Sequence, residues 1–498
     1  MLALLQFDAT NLPLLERLLA EGRLPALARL GERGTWTALG RSTPLFPEAG
    51  GYVTTYSGVE IEEHGIYSAF QWCAEEQRVR FFDELPGPAA AWERVSRAGG
   101  RSLVIDQYES WIPRETAGLR MLNGWQFRHK LSSQFSAPRD ANRALTRRFG
   151  AGPSIEFPYG RPSQKTLDRL VRIFHDSAAR LADATAAVLA EGRQDLVWLT
   201  FGGAHQAGHY LGDTLDDTAG SGRLTQLEDV YVTLDQALAR ILETLPGDAD
   251  VILFSPLGMA ANRSRTDLLP GMLAAVLAGR KLAASEAAAG PGSWIWKLRG
   301  LAPAELRAAV TKPLPPRAVR ALTSRLYLRG VDWSTTRAFA LPGDLNGYIR
   351  LNVRGREREG IVDPDDVEAL LDEIAEGLGT FRDPDGAPTV AVVHRIARDF
   401  GHGARSGDLP DLVVQWSDRP CVGPASVTSE RFGTVNRRQE GSSRPGNHTP
   451  DAWALLAPGA ARVREPARPP RITDIAATAC SLLGVDTAGL AGEPLLET

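Results

Sequence analysis

Cysteine is scarce in this chain, and its few occurrences lie far apart. The 498 residues include 3 cysteines, Cys73, Cys421 and Cys480, and no Cys-x-x-Cys pair. An odd and scattered set argues against a disulfide framework and against a cysteine-ligated zinc site. We therefore expect a protein of a reducing compartment, the cytoplasm.

Long apolar runs are missing as well. No stretch reaches the roughly 18 consecutive apolar residues of a membrane span. Residues 1–7 are mostly apolar, but no basic segment precedes them, and they fall short of the apolar region of about 7–15 residues in a signal peptide. We interpret this segment as a buried strand and expect no membrane partner.

An excess of positive charge is also absent. The formal net charge is -4, and the basic residues are scattered, which argues against nucleic acid and anionic membranes as partners. The composition, 43% hydrophobic and 23% charged, is ordinary for a globular protein. We expect a small-molecule substrate, with an anionic one among the options, and the oligomeric state stays open.

Short apolar segments alternate with helical patterns along the whole length. After the apolar residues 2–7, Asp8 is followed by leucines at helical spacing, which is the pattern of a βα unit. Similar strands are predicted at residues 102–106, 195–201, 250–254 and 452–457. The predicted fold is therefore α/β, a doubly wound and mainly parallel sheet, with ligands expected at the carboxyl ends of its strands.

Two regions break this alternation, and they set the predicted domain boundaries. Weak periodicity in one and Pro- and Ala-rich helices in the other indicate insertions that cap the site. The predicted order is a core over residues 1–109, an insertion over 110–160, core again over 161–261, a helical insertion over 262–335 and a C-terminal core over 336–498. More than one compact unit is expected, because a single hydrophobic core stops growing at roughly 250–300 residues.

Polar residues at the predicted strand ends are the candidates for a functional site. Asp8 ends the first strand, Glu48 opens a glycine-rich turn, and His448 precedes the last strand. His205 and His209 follow another strand at a spacing of four, so a helix there would project both imidazoles from one face, as in paired zinc ligands. The alternatives are an ordinary pair of loop histidines and, for Asp8, a helix N-cap.

Six segments in the right order resemble the alkaline phosphatase superfamily, in particular its type I phosphodiesterase/nucleotide pyrophosphatase group. The segments are FDATNLPLLERLLAEGRLPALARLGERG, YSGVEIEEHGIY, TTRAFALPGDLNGYIRLNVRGREREGIV, GDLPDLVVQW, GNHTPDAWALLAPG and ITDIAATACSLLGV. The resemblance spans essentially the whole chain. It implies the alkaline phosphatase fold with inserted cap regions.

The resemblance also implies a metal site. The family holds two divalent metals beside a Ser or Thr nucleophile. His209 and His448 fall on two ligand positions of one metal, and His205 stands where an Asp is expected, which implies a three-histidine site. Three imidazoles favour zinc over magnesium or calcium. Asp8 matches a ligand of the second metal.

The rest of the family's site is altered. The segment that supplies two ligands of the second metal reads Ser255-Pro256-Leu257-Gly258, in which proline and leucine cannot ligate. The nucleophile position falls on Glu48 or on Leu45, depending on the register of the loop, and neither is Ser or Thr. What is implied is one divalent metal, with Asp8 and Glu48 as carboxylates for acid–base work.

These residues favour a metal-dependent hydrolase or transferase that acts on a phosphate-type ester through metal-activated water, without a Ser or Thr nucleophile. The alternatives are a lyase, isomerase or condensing enzyme that uses the metal as a Lewis acid, and a binding protein without catalysis. Arg444 and His402 are the candidates for substrate binding. His64 is expected to be structural.

Overall fold

A computed structural model of the chain describes residues 1–114, 117–129, 131, 134–155, 163–212, 215, 222–282, 315–328, 330–419, 426–437 and 444–498. Residues 283–314 of the predicted helical insertion lie outside the described residues. So does Cys421.

Strands occur along most of the described chain. In chain order they are β1 (Leu2–Phe7), β2 (Thr35–Leu39), β3 (Phe70–Cys73), β4 (Arg78–Phe81), β5 (Ser102–Ile105), β6 (Leu119–Asn123), β7 (Arg128–His129), β8 (Phe135–Ala137), β9 (Ser154–Ile155), β10 (Leu196–Phe201), β11 (Asp250–Ser255), β12 (Gly258–Ala261), β13 (Ala338–Leu341), β14 (Gly347–Leu351), β15 (Val390–Arg395), β16 (Leu412–Trp416), β17 (Ser426–Ser429), β18 (Gly433–Asn436), β19 (Gly446–Thr449), β20 (Ala452–Ala457), β21 (Arg462–Val463) and β22 (Leu496–Glu497).

Helices separate most of the strands of the central sheet. They are α1 (Leu12–Ala20), α2 (Pro25–Glu32), α3 (Ala49–Ser57), α4 (Ile61–His64), α5 (Ala91–Arg97), α6 (Ala141–Phe149), α7 (Gln164–Glu191), α8 (Gly203–Leu211), α9 (Gly222–Thr244), α10 (Leu269–Ala278), α11 (Pro316–Tyr327), α12 (Val367–Gly379), α13 (Ile396–Asp399) and α14 (Thr473–Leu482).

A large central sheet confirms the predicted fold class. Its 8 strands run in the order β2-β20-β11-β1-β10-β5-β6-β8. The strands from β11 to β6 are parallel to their neighbours, whereas β20, β2 and β8 pair antiparallel at the two sides. The predicted strands in β1, β5, β10, β11 and β20 are confirmed. β2, β6 and β8 were not predicted, and β6 and β8 join the sheet from within the predicted insertion 110–160.

Both faces of the central sheet are covered, which explains why β1 is apolar except for Gln6. Ala3, Leu5 and Phe7 pack into a core with α1, α2, α7 and α9. Leu2 and Leu4 point to the other face, into a core with α3, α5 and α14. A parallel strand buried on two faces needs continuous apolar residues rather than alternation.

A second sheet lies in the C-terminal part. It has 4 antiparallel strands in the order β13-β14-β16-β15, and it shares a core with α10 and α12, in which Met272 and Ile374 pack near Ile349. The predicted domain boundaries stay a prediction.

No helix among the described residues is both long enough and apolar enough to pass through a lipid bilayer.

Candidate functional site

The carboxyl ends of β1 and β10 meet at one edge of the central sheet. Asp8 follows β1 directly, and its backbone N–H is bonded to the carbonyl of Phe201 at the end of β10. α8 starts two residues after β10, so the predicted helical spacing of His205 and His209 is confirmed. Both imidazoles therefore project from one face of α8.

His448 reaches the same edge from the far end of the sequence. It lies on β19, which pairs antiparallel with β12 in a register that sets His448 opposite Met259. β12 follows β11, the neighbour of β1, so this short ribbon carries His448 over the strand ends. The three histidines thus come together from α8 and β19.

The three imidazoles converge through their Nε2 atoms. His205 Nε2 lies 3.0 Å from His209 Nε2 and 3.1 Å from His448 Nε2. All three side chains are buried, and they form the one group of potential metal ligands found among the described residues. This geometry fits a metal ion held by three histidines.

The Nδ1 atoms point outward to oxygen atoms. His205 Nδ1 lies 2.5 Å from Asp8 Oδ2, and His209 Nδ1 lies 3.1 Å from the carbonyl oxygen of Gly446. Since a carboxylate and a carbonyl only accept, each Nδ1 is assigned as the N–H donor. The lone pairs of both rings are then left on Nε2, facing each other.

Burial keeps these rings neutral. It lowers the pKa of His205, against the opposing effect of Asp8. It lowers the pKa of His209 well below the usual value, and the positive charge of Arg444 adds to the effect. Neutral imidazole is the form that binds a metal.

Asp8 is held from several sides. Its Oδ1 accepts a hydrogen bond from Gln6 Nε2 at 2.8 Å, and its Oδ2 accepts one from the Tyr52 hydroxyl at 3.0 Å, besides facing His205. Asp8 therefore stands behind His205 instead of among the converging nitrogens. This position favours support of a ligand, while its predicted role as a ligand stays a prediction.

Glu48 lies at the start of α3, next to His448. Its Oε1 is 3.7 Å from His448 Nδ1, and neither atom has a hydrogen-bond partner among the described residues. Its side chain is 22% exposed, although Oε1 itself is buried. The structure thus brings Glu48 next to His448.

Arg41 occupies the region where the resemblance implies a second metal. Ser255 Oγ donates to the Leu257 carbonyl at 2.7 Å, and Pro256 and Leu257 offer no ligand. The Pro256 carbonyl instead accepts a hydrogen bond from Arg41 Nη2. In the register of β1 and β11, Gln6 is opposite Phe254, which places Pro256 beside Asp8. A second metal does not fit these residues.

The charge on Arg41 is fixed in place. Its Nε and Nη1 are buried without a hydrogen-bond partner among the described residues, and Nη1 lies against Gly51. Burial lowers the pKa of Arg41 to about 10, so the guanidinium still carries its charge at neutral pH.

No hydrogen bond joins either hydroxyl of the preceding loop to the three histidines among the described residues. Ser42 Oγ donates to Glu60 Oε2 at 2.6 Å. Thr43 is buried, and α3 itself begins Ala49-Gly50-Gly51.

The remaining candidates lie further out. Arg444 is half-buried and pairs with Asp344 at 3.0 Å, close enough to His209 to affect its pKa. His402 is exposed, in a loop beside α4, and no contact with the three histidines is found among the described residues. His64 is buried and bonded to Thr54 Oγ1 at 3.0 Å, as a structural residue would be. Binding roles for Arg444 and His402 stay predictions.

The sequence analysis did not identify Tyr52 and Tyr108 as residues of the site. The Tyr52 hydroxyl contacts both Asp8 and His205, and the Tyr108 ring packs against the His205 ring with centroids 5.0 Å apart. The position of Tyr108, just after the predicted strand 102–106, was a usable signal, because ligands collect at the carboxyl ends of parallel strands.

Comparison with known proteins agrees with this architecture. The sequence model of the family described as type I phosphodiesterase/nucleotide pyrophosphatase matches residues 2–419. No curated protein matches the sequence.

Solved structures of similar fold share little sequence with the chain. Phosphonoacetate hydrolase from Sinorhizobium meliloti is 13% identical with a TM-score of 0.52, over 97% of this chain and 95% of that one. The alkaline phosphatase PafA is 14% identical with a TM-score of 0.54, over 99% and 98%. Human ectonucleotide pyrophosphatase/phosphodiesterase 5 is 14% identical with a TM-score of 0.50, over 100% of both chains.

Proposed function

This chain belongs to the type I phosphodiesterase/nucleotide pyrophosphatase family, and we propose that it is a metal-dependent hydrolase of a phosphate-type ester with a single divalent metal. The proposed ligands are His205, His209 and His448. Zinc is the proposed ion, because a set of three imidazoles suits zinc better than magnesium or calcium.

One observation carries the metal assignment. The Nδ1 atoms of His205 and His209 both face acceptor oxygens, so both Nε2 atoms carry lone pairs, and these lie 3.0 Å apart. Two lone pairs at this distance repel unless a proton or a cation lies between them. Because burial disfavours protonation of both rings, a metal ion satisfies this arrangement best.

A divalent ion held by His205, His209 and His448 would supply Lewis-acid chemistry at this site. Asp8 holds the His205 ring in one tautomer and orientation, and it raises the basicity of that ligand. Tyr52 keeps the Asp8 carboxylate in place.

Glu48 is the proposed acid–base residue. It is partly exposed, it is next to His448, and its Oε1 has no hydrogen-bond partner among the described residues. It can take a proton from an attacking water or deliver one to the leaving oxygen. Because no Ser or Thr hydroxyl stands at the start of α3, we propose direct attack by water without a covalent intermediate.

Arg41 is proposed to supply part of the positive charge that a second metal would give. A phosphoryl group at the three histidines would otherwise meet the carboxylates of Asp8 and Glu48 without compensation. The Arg41 guanidinium, hydrogen-bonded to the Pro256 carbonyl, would offset the negative charge of the phosphoryl group and the two carboxylates.

The test is hydrolysis with metal-stripped and zinc-reloaded protein. Release of p-nitrophenol would be followed from p-nitrophenyl phosphate, bis(p-nitrophenyl) phosphate and a p-nitrophenyl phosphonate. The expected result is activity on at least one of them that is lost on stripping, restored by zinc and absent in His209→Ala. Equal activity without metal would overturn the metal role, and zinc binding without hydrolysis of any ester would favour the non-hydrolytic alternatives.

The proposed location is the cytoplasm. The support for it is the small and scattered set of cysteines in the sequence, which argues against a disulfide framework.

A further inference from the structure

Two buried polar atoms beside the three histidines face each other without a bond. His448 Nδ1 and Glu48 Oε1 lie 3.7 Å apart, and each is buried without a hydrogen-bond partner among the described residues. The separation of 3.7 Å is too long for a hydrogen bond. Because buried polar groups are nearly always bonded in native proteins, this open pair points to a second state in which it closes.

The outward nitrogens of His205 and His209 already have acceptors. Their Nδ1 atoms face the Asp8 carboxylate at 2.5 Å and the Gly446 carbonyl at 3.1 Å. Partners of this kind fix the orientation and the tautomer of a metal-ligating histidine. Of the three rings, only His448 has an outward nitrogen that lacks such a partner among the described residues.

The inward contact of His448 explains why its outward nitrogen is open. His448 Nε2 lies 3.1 Å from His205 Nε2, which carries a lone pair because His205 Nδ1 donates to Asp8. A hydrogen bond between the two Nε2 atoms therefore needs the proton on His448 Nε2. His448 Nδ1 then carries a lone pair too, and it faces a carboxylate oxygen of Glu48 that also only accepts.

Ligation of His448 would move this proton without changing the charge of the ring. When the Nε2 lone pair is shared with a metal ion, the ring proton has to be on Nδ1. The proton leaves Nε2 and is taken up at Nδ1 by exchange with water, so the imidazole stays neutral. Nδ1 then faces Glu48 Oε1 as a donor, and a shift of roughly 1 Å gives a charge-assisted hydrogen bond of about 2.8 Å.

The loop that carries Glu48 is held in place, so a shift of this size falls to the side chain. The Leu45 carbonyl accepts hydrogen bonds from Asn346 Nδ2 at 2.8 Å and from the Tyr348 hydroxyl at 3.4 Å. The ring of Phe46 packs against the Tyr348 ring, with centroids 5.4 Å apart. Rotation about the side-chain bonds of Glu48 is enough to move its carboxylate while the loop stays where it is.

We infer that Glu48 is the positioning residue of His448. In the metal-bound protein, Glu48 Oε1 accepts the hydrogen bond of His448 Nδ1, and Oε2 is left for the acid–base role. Each ligand of the site then has an outward acceptor, which holds its ring at the ligating angle and raises its basicity. The inference rests on the proposed three-histidine metal site, and it gives Glu48 a contact that acid–base catalysis alone does not need.

The first experiment measures zinc affinity, without hydrolysis, by competition with a chromophoric chelator. Glu48→Met removes the acceptor and should weaken zinc binding about 10- to 100-fold. Glu48→Gln removes the charge but keeps an acceptor oxygen, and it should bind zinc about two- to tenfold more tightly than Glu48→Met, the worth of one neutral hydrogen bond. Glu32→Met is the control, because Glu32 is an exposed acid on α2, and it should match wild type.

The second experiment locates the ring protons of wild type by nitrogen NMR of labelled imidazoles. In metal-free protein the proton of His448 should be on Nε2, and zinc should move it to Nδ1. Hydrogen bonding to Glu48 should slow the exchange of this proton with water. Glu48→Met should lose the slow exchange, while the Nδ1–H signals of His205 and His209 stay as in wild type.

Three results would overturn the inference and leave the proposed function standing. One is equal zinc affinity of Glu48→Met and wild type. Another is equal weakening in Glu48→Met and Glu48→Gln, which would make the charge of Glu48 the whole effect. The third is a proton already on His448 Nδ1 in the metal-free protein.

The proposed function fails in a different way. A wild type that binds no zinc would contradict it before any variant is compared, and the inference would fall with it. Zinc binding that depends on Glu48 as expected, but without hydrolysis of any ester, would contradict the hydrolase and leave the contact between Glu48 and His448 standing.

Discussion

The carboxylate of Asp8 lies 2.5 Å from Nδ1 of His205, on the side of the ring away from the nitrogens of His209 and His448. This contact links the end of β1 to the helix that follows β10. In the proposed site it makes Asp8 a support for one ligand, although the resemblance implied a ligand role for Asp8 itself. A supporting role and a ligand role predict different losses of zinc affinity when the charge of Asp8 is removed.

We predict that Asp8→Asn weakens zinc binding about 10- to 100-fold without abolishing it, because the supporting partner of a ligating histidine has effects of this size. Competition with a chromophoric chelator measures the affinity. Tyr52→Phe, which removes a neutral hydrogen bond from the same carboxylate, should have a smaller effect. If Asp8→Asn loses zinc as fully as His209→Ala does, then Asp8 is itself a ligand.

Metal content is predicted at about one zinc per chain, since the described residues offer one group of three convergent histidines. Elemental analysis of His205→Ala, His209→Ala and His448→Ala should show its loss in each. His394→Ala is the control, because His394 lies on β15 and pairs with Gln415. Two zinc ions per chain in wild type would contradict the mononuclear site.

Replacing Arg41 by methionine should weaken inhibition by inorganic phosphate about tenfold, or about 1.4 kcal/mol, as a nearby positive charge is lost. The melting temperature should stay the same or rise, because a buried guanidinium with unpaired Nε and Nη1 contributes little to stability. Arg33→Met, which also loses a bond to a backbone carbonyl but is remote from the site, is the control. Unchanged phosphate inhibition would remove Arg41 from the proposed role.

His64 should make the free energy of unfolding depend on pH in the acid range. Burial lowers its pKa from 6.5 to about 3, so between these values the unfolded chain binds the proton and the folded chain does not. Stability is then complete above pH 6.5 and falls as the pH falls toward 3, by about 2 kcal/mol at pH 5.

Urea unfolding of wild type and His64→Gln at pH 7.5 and pH 5 measures this effect. Gln can keep contacts with the Ile66 N–H and the Thr54 hydroxyl without titrating. The stability advantage of wild type over His64→Gln should therefore shrink at pH 5. An advantage that is constant with pH would show that His64 is not held neutral.

The central sheet could be predicted because its buried strands are continuous apolar runs. The spacing of His205 and His209 allowed a helical pair to be proposed, but it left an ordinary loop pair open, and the metal role was implied only by the family resemblance. Short elements gave no such signal: β6 and β8 lie in a segment rich in Trp and Arg without periodicity, and their place in the sheet comes from pairing with distant residues.

The surroundings of the site were beyond sequence reasoning for a related reason. Arg41 and Pro256 are hydrogen-bonded although they are 215 positions apart in the sequence. The residues around each of them give no signal that predicts this contact. Tyr52 lies inside a helix whose residues are all buried, so its pattern is that of a core residue. Whether Glu48 or Leu45 falls on the family's nucleophile position depends on the register of a loop. The sequence alone does not give this register.

The wide separation of the histidines has a consequence for folding. His205 and His448 are 243 positions apart, while His205 and His209 share one turn of α8. A zinc ion held by all three would act as a cross-link between the middle and the end of the chain. This cross-link could form only after β19 and β20 have docked. Most of the metal affinity should therefore come from a late step of folding. Zinc release and the opening of the C-terminal strands should then occur together.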